Sequence, residues 1–320
     1  MTTHSFRHNI PPEILALSHE RDLLRRRGHY DRADVLKQQI EDAGYIIKDN
    51  PRGAHLVILP SIEIDGQVYR TARQLPSLLD EPDHCTFSVN ILSRNTYDQT
   101  VRCIQSVLRF SDTVDIEIVL IDNASQDGID LWAEALKYQE PRLRVLHITR
   151  TMGEAEARNV GLKQSRGRYI LILDSSVELT GDIFTPLIQT LEDGSVGITG
   201  LRGLHTDDLR NFEETQDTDV EVDVIDTLCM AFRRVLVKEA GLFDERYRFP
   251  YYMDVDFNFT VRNLHTTIMV TPNLPVMRHP MESNTNISDA ERTRLTKRNF
   301  YRFREKWGDR DDILPEDDEE

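Results

Sequence analysis

The spacing of apolar residues divides the chain into two parts. In the first part, residues 11–43 carry apolar side chains at helical intervals, interrupted by a turn at 25–28, which predicts two helices. Short apolar runs then alternate with turn-forming residues and predict two β-hairpins, over 45–59 and 62–69. A stretch rich in proline and acidic residues, 75–83, is expected to be a linker.

The second part alternates strands with helices, which predicts an α/β fold. Apolar runs predict strands at 87–92, 116–121, 144–148, 168–173 and 196–199. Segments of helical period predict helices at 96–108, 131–138, 154–164 and 183–191. Repeated βαβ units give a mostly parallel sheet flanked by helices. Thr96 and Gln99 have the spacing of a capping box, and the acidic stretch 206–226 is expected to be irregular.

The carboxyl ends of the predicted strands carry polar side chains. Ser93, Arg94 and Asn95 follow the first strand, Asp122 the second and Asp174 the fourth. Ligands of open α/β sheets bind beyond these strand ends. No GxGxxG or GxxxxGK[ST] motif is present, which disfavours a dinucleotide oxidoreductase or a P-loop ATPase. Carboxylates at this edge suit a nucleotide-sugar, which presents base N–H groups, ribose hydroxyls and a diphosphate bound through a metal.

Composition narrows the class of protein. Apolar content of 39% with 29% charged residues fits a soluble globular chain, and the net charge of −16 argues against nucleic acid as the main partner. Three scattered cysteines suggest neither a disulfide framework nor a zinc site. The start has no signal-peptide pattern and no apolar run reaches the ~20 residues of a membrane span, so a cytoplasmic protein without a transmembrane segment is expected. The aromatic residues of the basic segment 292–307 recur at helical spacing, which favours packing on the domain over nucleic-acid or membrane binding.

Five ordered segments carry a resemblance to a known family. They are VNILSRN at 89–95, IVLIDNASQD at 118–127, GEAEARNVG at 153–161, GLFDE at 241–245 and YMDVDF at 252–257. Together with Arg262 they make residues 86–308 resemble a family 2 glycosyltransferase with the GT-A fold, a Rossmann-like α/β architecture. The resemblance implies an inverting, hexosyltransferase-type enzyme that uses a donor such as a UDP-sugar. The acceptor, whether saccharide, lipid-linked or protein, is not specified by the sequence.

The resemblance also implies roles for individual residues. Ser93, Arg94, Asn95 and Asp122 would bind the nucleoside part of the donor, Arg158 would lie near the diphosphate, and Asp174 matches the first aspartate of the DXD motif. Asp254 matches the catalytic base of the xED motif, whereas Asp256 is expected to be structural. His279, in VMRH at 276–279, matches a histidine that can complete a Mn²⁺ or Mg²⁺ shell with Asp174.

The chain departs from the family pattern at three positions. Ser176 replaces the metal-binding second aspartate of DXD, Met253 replaces the glutamate of xED, and Thr227 stands where a glycine is usual. These departures leave three alternatives. The enzyme has a weaker, water-rich metal site formed by the diphosphate, Asp174 and His279; or it works without a metal; or the chain is a degenerate protein that binds a nucleotide-sugar without turnover.

The first part has a resemblance of its own. Residues 25–59, with YDRADVL at 30–36, Gly44 and DNPRG at 49–53, resemble the small C-terminal domain of cysteinyl-tRNA synthetases. That module lies on the tRNA-facing side in its family, which raises the alternative of an RNA-binding protein, although the acidic net charge weighs against tRNA binding. The expected domains are this module with its linker over 1–80, the catalytic domain over 86–308 and an acidic tail over 309–320.

Overall fold

The computed structural model describes residues 10–50, 53–215, 221–247, 252–280, 288–308 and 310. The chain divides into two compact units, Met1–Leu75 and Pro76–Glu320. The acidic tail predicted over 309–320 lies outside the described residues, apart from Arg310. Among the described residues, no helix is long and apolar enough to cross a membrane.

The first unit has the predicted helices and hairpins. Its elements are α1 (Pro12–Arg26), α2 (Tyr30–Asp42), β1 (Tyr45–Asn50), β2 (Gly53–Ile58), β3 (Ile62–Ile64) and β4 (Gln67–Tyr69). The strands pair antiparallel as β1 with β2 and β3 with β4. Ile14, Ile40 and Leu56 form a small core between the helices and the first hairpin. Gly44 follows α2 with a φ of 87°, a conformation that glycine adopts without strain.

The second unit is built on a twisted, mostly parallel sheet. Its strands are β5 (Cys85–Ser93), β6 (Ile116–Asn123), β7 (Leu143–Ile148), β8 (Gly167–Asp174), β10 (Val196–Gly200), β14 (Cys229–Arg233) and β15 (Thr267–Val270), in the spatial order β15-β10-β14-β8-β5-β6-β7. Strand β14 runs antiparallel to both of its neighbours, while the other pairs are parallel. The predicted α/β architecture is therefore confirmed.

Helices cover both faces of this sheet. One face packs against α3 (Tyr97–Arg109), α4 (Ile129–Lys137) and α6 (Phe184–Glu192). The other packs against α5 (Glu154–Gln164), α7 (Leu236–Ala240) and α8 (Met253–Arg262). The strands alternate between the two cores, since Tyr169 and Leu171 of β8 face the first and Ile170 and Ile172 face the second.

Several short strands were not predicted. Strand β9 (Val177–Leu179) pairs antiparallel with β16 (Val276–Arg278), and β11 (Gly203–His205) pairs with both β12 (Glu213–Glu214) and β13 (Val224–Ile225). The stretch 206–226 thus contains β12 and β13 and is not wholly irregular, although 216–220 lie outside the described residues. Two or three residues carry too little periodicity to be recognised as a strand from sequence.

The C-terminal helix α9 (Asp289–Trp307) packs as its aromatic spacing predicted. Phe303 and Trp307 are buried against Phe259 of α8, with ring centroids 5.4 and 5.9 Å away. The same contacts pack α9 against the middle of α8.

The predicted linker 75–83 is held to the second unit from Pro76 onward. The Arg234 guanidinium donates hydrogen bonds to the carbonyls of Leu78 and Glu81, at 2.8 and 2.7 Å, and to the Asp83 carboxylate at 2.6 Å. Leu79 is buried in the core on the α5 face. This segment is therefore part of the second unit rather than a free connection.

The amino edge of the parallel strands contains a buried ionic network around Glu117. Its carboxylate accepts bonds from Ser88, Arg144 and Arg166, at 2.6, 3.2 and 2.8 Å. Burial opposes ionisation, but these partners outweigh it and keep the pKa of Glu117 below its ordinary value. Gly167 closes the network, since its N–H donates to the Ser88 hydroxyl at 2.7 Å. The network lies at the opposite end of the strands from the candidate site.

We expect Gly167→Ala to lower the free energy of unfolding by about 1–3 kcal/mol, since overpacking a well-packed strand forces the backbone to shift. A Cβ at Gly167 would contact the backbone of Phe87, 2.6 Å from its carbonyl carbon. Urea denaturation measures the change. Gly194→Ala is the matched control, because its added Cβ meets no heavy atom within 4 Å. Equal stability of the two variants would contradict the close approach of β5 and β8.

Candidate active site

Three parallel strands end side by side and define the site. The register places Ser93 at the end of β5 opposite Asp122 of β6, and Leu92 opposite Asp174 of β8. Their carboxyl ends therefore meet at one edge of the sheet, where the sequence predicted a ligand.

Asp122 is buried beneath the loop that follows β6. Its Oδ1 accepts the N–H of Ser125 at 3.0 Å, and its Oδ2 lies 3.4 Å from Nδ1 of His147. Burial would raise the pKa of Asp122, but the bonds to His147 and Ser125 outweigh it and hold this pKa below its ordinary value. The bond to Asp122 and a second one to Glu134, at 3.1 Å, raise the pKa of His147. Asp122 is thus an ionised acceptor held in one orientation.

The loops after β5 and β6 are joined through Asn95. Its side-chain oxygen accepts the N–H of Gln126 at 2.7 Å, and its own N–H donates to the Ser125 hydroxyl at 3.1 Å. Asn95 has a φ of 54°, a region in which asparagine is tolerated better than most residues. Arg94 beside it is exposed. Both residues lie on the loop after β5, at the carboxyl edge of the sheet, and their contact with a nucleoside stays a prediction.

The side chain of Ser93 is buried and points into the protein. Its buried hydroxyl bonds to the hydroxyls of Thr96 and Thr100, at 3.2 and 2.9 Å. The predicted capping box is therefore wrong: Thr96 makes no side-chain cap on α3, because its hydroxyl is engaged in this cluster. The first N–H of α3, that of Tyr97, donates instead to Oδ2 of Asp127 at 2.8 Å.

The Asp174-Ser175-Ser176 turn is closed by its own hydrogen bonds. Oδ1 of Asp174 accepts both the N–H and the hydroxyl of Ser176, at 2.9 and 2.5 Å. Ser175 is buried and its hydroxyl lies 3.5 Å from that of Thr96, at the limit of a hydrogen bond. Ser176 therefore donates to the aspartate from the position where the DXD motif would supply a second carboxylate.

His279 lies beside this turn because β16 pairs with β9. The backbone N–H of His279 donates to the Ser176 carbonyl at 2.9 Å, whereas the ring atom Nε2 lies 2.6 Å from the Glu178 carboxylate. The structure thus brings the predicted metal ligands Asp174 and His279 to neighbouring backbone positions. The imidazole itself is engaged by Glu178.

These side chains do not form a ready-made metal site. Across the part of the chain that the structure describes, no three His, Cys, Asp or Glu side chains converge on one point. One oxygen of Asp174 accepts bonds from Ser176, and the Nε2 atom of His279 contacts Glu178. Mg²⁺ and Mn²⁺ prefer several oxygen ligands and often retain water and phosphate oxygens. The residues present offer such an ion the Oδ2 atom of Asp174.

Asp254 lies in the first turn of α8, and its charge acts on Asp226 just before β14. Tyr252, with a φ of 72°, starts the helix, and Oδ1 of Asp254 accepts the N–H of Val255 at 3.0 Å. Burial, followed by the charge of Glu154, raises the pKa of Asp254, and the charge of Arg158 partly offsets this. The proton affinity of Asp254 is therefore raised, and its role as a general base stays a prediction.

Arg158 is buried on α5 and pairs with Glu154 one turn earlier. Its terminal nitrogen lies 3.0 Å from the Glu154 carboxylate. Both charges act on Asp254, so the structure places Arg158 near the predicted base. A contact with a donor diphosphate stays a prediction.

The side chain of Asp256 joins α8 to α9. It is buried, and its Oδ1 accepts the indole N–H of Trp307 at 2.8 Å and lies 2.9 Å from the Lys306 ammonium. These contacts agree with the structural role expected from the sequence.

Asp226 is a residue of the site that the sequence reasoning missed. It precedes β14, and its Oδ1 accepts the N–H of Leu228 at 3.1 Å, while the Leu228 carbonyl accepts the N–H of Asp174 at 2.9 Å. Burial and the nearby charge of Asp254 raise the pKa of Asp226 to about 6, although Arg202 and Arg278 oppose the shift. Its only signal in the sequence is an acidic residue just before a strand, and it was missed because strand β14 was not predicted.

Comparison with known sequences identifies one family. The sequence model described as "Glycosyl transferase family 2" matches residues 88–256, slightly more than half of the chain. "Glycosyltransferase GlyG" of Streptococcus pneumoniae is 32% identical over 106 residues, which cover 33% of this chain and 35% of the relative. "Succinoglycan biosynthesis protein ExoO" of Rhizobium meliloti is 32% identical over 114 residues, covering 36% and 31%. The chain spans about a third of the length of these curated relatives.

Solved structures agree on the fold. GalNAc-T7, solved with UDP, GalNAc and Mn²⁺, superposes with a TM-score of 0.61 at 18% identity, covering 71% of this chain and 49% of that chain. Identity this low carries information about the fold alone, and the fold is the GT-A type predicted from the sequence.

We expect Asp226→Asn to stabilise the protein at neutral pH. An aspartate with a raised folded-state pKa binds its proton more tightly in the folded than in the unfolded chain, so its ionisation destabilises the fold. The shift from 3.8 to about 6 predicts that the gain is small near pH 4, grows up to about pH 6 and then levels off at roughly 3 kcal/mol at most. Urea denaturation across this range measures it.

Asp208→Asn is the control of opposite sign. Bonds from the N–H groups of Asn211 and Arg210 lower the pKa of Asp208, so its ionised form stabilises the fold and the substitution should destabilise it at neutral pH. A loss of stability at neutral pH in Asp226→Asn as well would contradict the buried, repelled state of Asp226.

Proposed function

Because the chain belongs to glycosyl transferase family 2, we propose that it transfers a sugar from a nucleoside-diphosphate-sugar to an acceptor hydroxyl with inversion. The observation that carries this proposal is the position of Asp254. A carboxyl of raised pKa lies in the first turn of α8, linked electrostatically to Asp226, whose loop is bonded to the Asp174 turn. A base therefore lies next to the strand ends where a donor is expected.

The reaction uses Asp254 as a general base. The carboxylate takes the proton of the acceptor hydroxyl, whose oxygen attacks the anomeric carbon from the face opposite the leaving group. The bond between that carbon and the diphosphate oxygen breaks, and the nucleoside diphosphate departs with the electron pair. Attack from the opposite face inverts the anomeric configuration. General base catalysis of this kind contributes typically ~10²–10⁴-fold.

We assign donor binding to the edge formed by β5, β6 and β8. Ionised Asp122 suits the N–H groups of a base or the hydroxyls of a ribose, and Arg94 and Asn95 lie on the adjoining loop. Arg158 supplies a fixed positive charge that lowers the pKa of Asp254, and the resemblance to the family assigns it to the donor diphosphate, where a positive charge would stabilise the leaving group. The inward hydroxyl of Ser93 supports this loop through Thr96 and Thr100.

The degenerate alternative, a protein that binds a nucleotide-sugar without turnover, rests on Ser176. The retained, half-buried Asp254 with its raised pKa supports an active enzyme instead. The acceptor stays open between a saccharide, a lipid-linked and a protein substrate.

For the rest of the chain we propose the organisation expected from the sequence. Within the 1–80 range expected for the module and its linker, residues 1–75 form an appended module like the C-terminal domain of cysteinyl-tRNA synthetases, and the linker packs on the second unit from Pro76 onward. Residues 86–308 form the catalytic domain and 309–320 an acidic tail. The order of two helices followed by a hairpin in the first unit supports the resemblance. The net charge of −16 counts against tRNA as its partner.

We expect Asp254→Asn to lower kcat by about 10²–10⁴-fold while the protein stays folded, since the amide oxygen can still accept the Val255 N–H. The measurement is release of nucleoside diphosphate in a screen of UDP-, GDP- and dTDP-sugars with candidate acceptors. Asp256→Asn, two positions along α8, is the control: loss of its ionic contact with Lys306 should reduce stability but leave kcat of the folded protein unchanged.

Two outcomes of this screen would count against the proposal. Turnover that survives Asp254→Asn would remove the base assignment. Binding of UDP or GDP by the wild type without turnover on any donor would favour the degenerate alternative.

We expect Mn²⁺ to bind together with the nucleotide rather than to the free protein, because Ser176 already occupies one oxygen of Asp174. Calorimetry should detect no binding of Mn²⁺ alone but clear binding in the presence of UDP or GDP. Ser176→Asp should allow Mn²⁺ to bind alone and raise the melting temperature, since the ion would relieve the repulsion between two neighbouring carboxylates. Tight binding of Mn²⁺ to the free wild type would contradict this expectation.

A further inference from the structure

Asn258 is a fully buried amide on α8 that joins the helix to strand β13. Its Oδ1 accepts the N–H of Ile225 at 3.0 Å, and its Nδ2 donates to the Ile225 carbonyl at 2.9 Å and to the Asp254 carbonyl at 2.8 Å. Both N–H bonds of the amide are therefore used. One side chain binds both backbone groups of a strand residue and a backbone group of the residue proposed as the base.

The two segments that Asn258 joins carry the two carboxyls on this side of the site. Ile225 directly precedes Asp226, and Asp254 lies one turn before Asn258 on the same helix. The spacing of the two carboxyls is thus set across this amide. The charged groups that act on Asp226 are Asp254, Arg202 and Arg278, and those that act on Asp254 are Glu154 and Arg158.

A second asparagine makes the same kind of contact away from Asp254. Oδ1 of Asn159 accepts the N–H of Phe243 at 3.0 Å, and its Nδ2 donates to the Phe243 carbonyl at 2.9 Å. Asn159 is also buried and also lies on a helix, α5. Loss of either amide should affect stability similarly, because each removes a pair of buried bonds to one backbone residue and one further bond, to the Asp254 carbonyl or to the Glu245 carboxylate.

We propose that Asn258 is a positioning residue, which holds Asp254 at a fixed distance and orientation relative to Asp226 for removal of the acceptor proton. This inference rests on the proposed function of Asp254. Its physical reason is the steep dependence of catalysis on geometry, since a displacement of about 1 Å can reduce the rate by about 10²-fold. Among the described residues, Arg262 ties the far end of α8 to Asp223 just before β13, whereas Asn258 bonds both to β13 and to the carbonyl of Asp254 in the first turn.

The test compares Asn258→Ser and Asn258→Ala with Asn159→Ser and Asn159→Ala in the full chain. A serine at position 258 can still bond to the carbonyl four residues earlier, as Thr260 does to Asp256 at 2.8 Å, but it cannot reach Ile225 in the same way. We expect both Asn258 variants to bind UDP or GDP like the wild type, with kcat about 10²-fold lower and a displaced pH profile. The Asn159 variants should lose similar stability, with kcat and pH profile unchanged.

A second readout needs no turnover. Aspartate carboxyls can be isotope-labelled and titrated by NMR in the free protein, and the Asp226→Asn and Asp254→Asn variants assign the two signals. We expect the pKa of Asp226 to fall toward its ordinary value in the Asn258 variants but not in the Asn159 variants, because the repulsion by Asp254 weakens. If the wild type turns over no donor, the proposed function fails, and this titration still decides whether Asn258 sets the spacing.

The proposal is overturned if the Asn258 and Asn159 variants lose kcat equally or leave the Asp226 titration unchanged. It is also overturned if neither Asn258 variant folds while both Asn159 variants do, because Asn258 would then serve the fold rather than the site.

Discussion

The antiparallel pairing of β14 with β8 is the contact on which the candidate site depends. It places the start of β14 beside the end of β8, where the N–H of Asp174 donates to the Leu228 carbonyl. The residues just before β14 therefore reach the same edge as the parallel strands. Asp226 enters the site in this way, and Asn258 then connects α8 to the residue before it. Without this antiparallel strand, the carboxyl edge of the sheet would carry Asp122 and Asp174 but not Asp226.

The turn at Asp174 has a hydrogen-bonding arrangement that is complete without an ion. A second carboxylate at position 176 would repel the first and need a cation to hold both. Ser176 instead donates two hydrogen bonds to Asp174, so one oxygen of that carboxylate is already satisfied in the free protein. Bonds to an ionised acceptor are stronger than neutral ones, so a cation gains less by displacing them. The replacement therefore changes what holds the turn together as well as how many metal ligands it has.

Features set by residues close in sequence were predicted correctly, whereas features set by contacts between distant segments were missed. Helices such as α5, and strands β5, β6 and β8, were predictable because their periodicity is local. Their ends brought Asp122 and Asp174 together through the general geometry of parallel sheets. Strand β14 and Asp226 were missed, because antiparallel insertion between β8 and β10 is decided by pairing between distant segments. Thr96 had the spacing of a cap, but its hydroxyl bonds to Ser93 and Thr100, a tertiary contact that no local motif encodes.

The ionisation of Asp254 is controlled by burial and by the charged side chains around it. A base must be ionised before it accepts a proton, yet burial and the charge of Glu154 both favour its protonated form. The charge of Asp254 in turn raises the pKa of Asp226, which is itself buried. Arg158 opposes the first effect, while Arg202 and Arg278 oppose the second. Arg158 is buried whereas Arg278 is exposed, so the part of this balance that the fold fixes most firmly is the spacing between α8 and the loop before β14. That spacing is therefore a determinant of the chemistry as well as of stability.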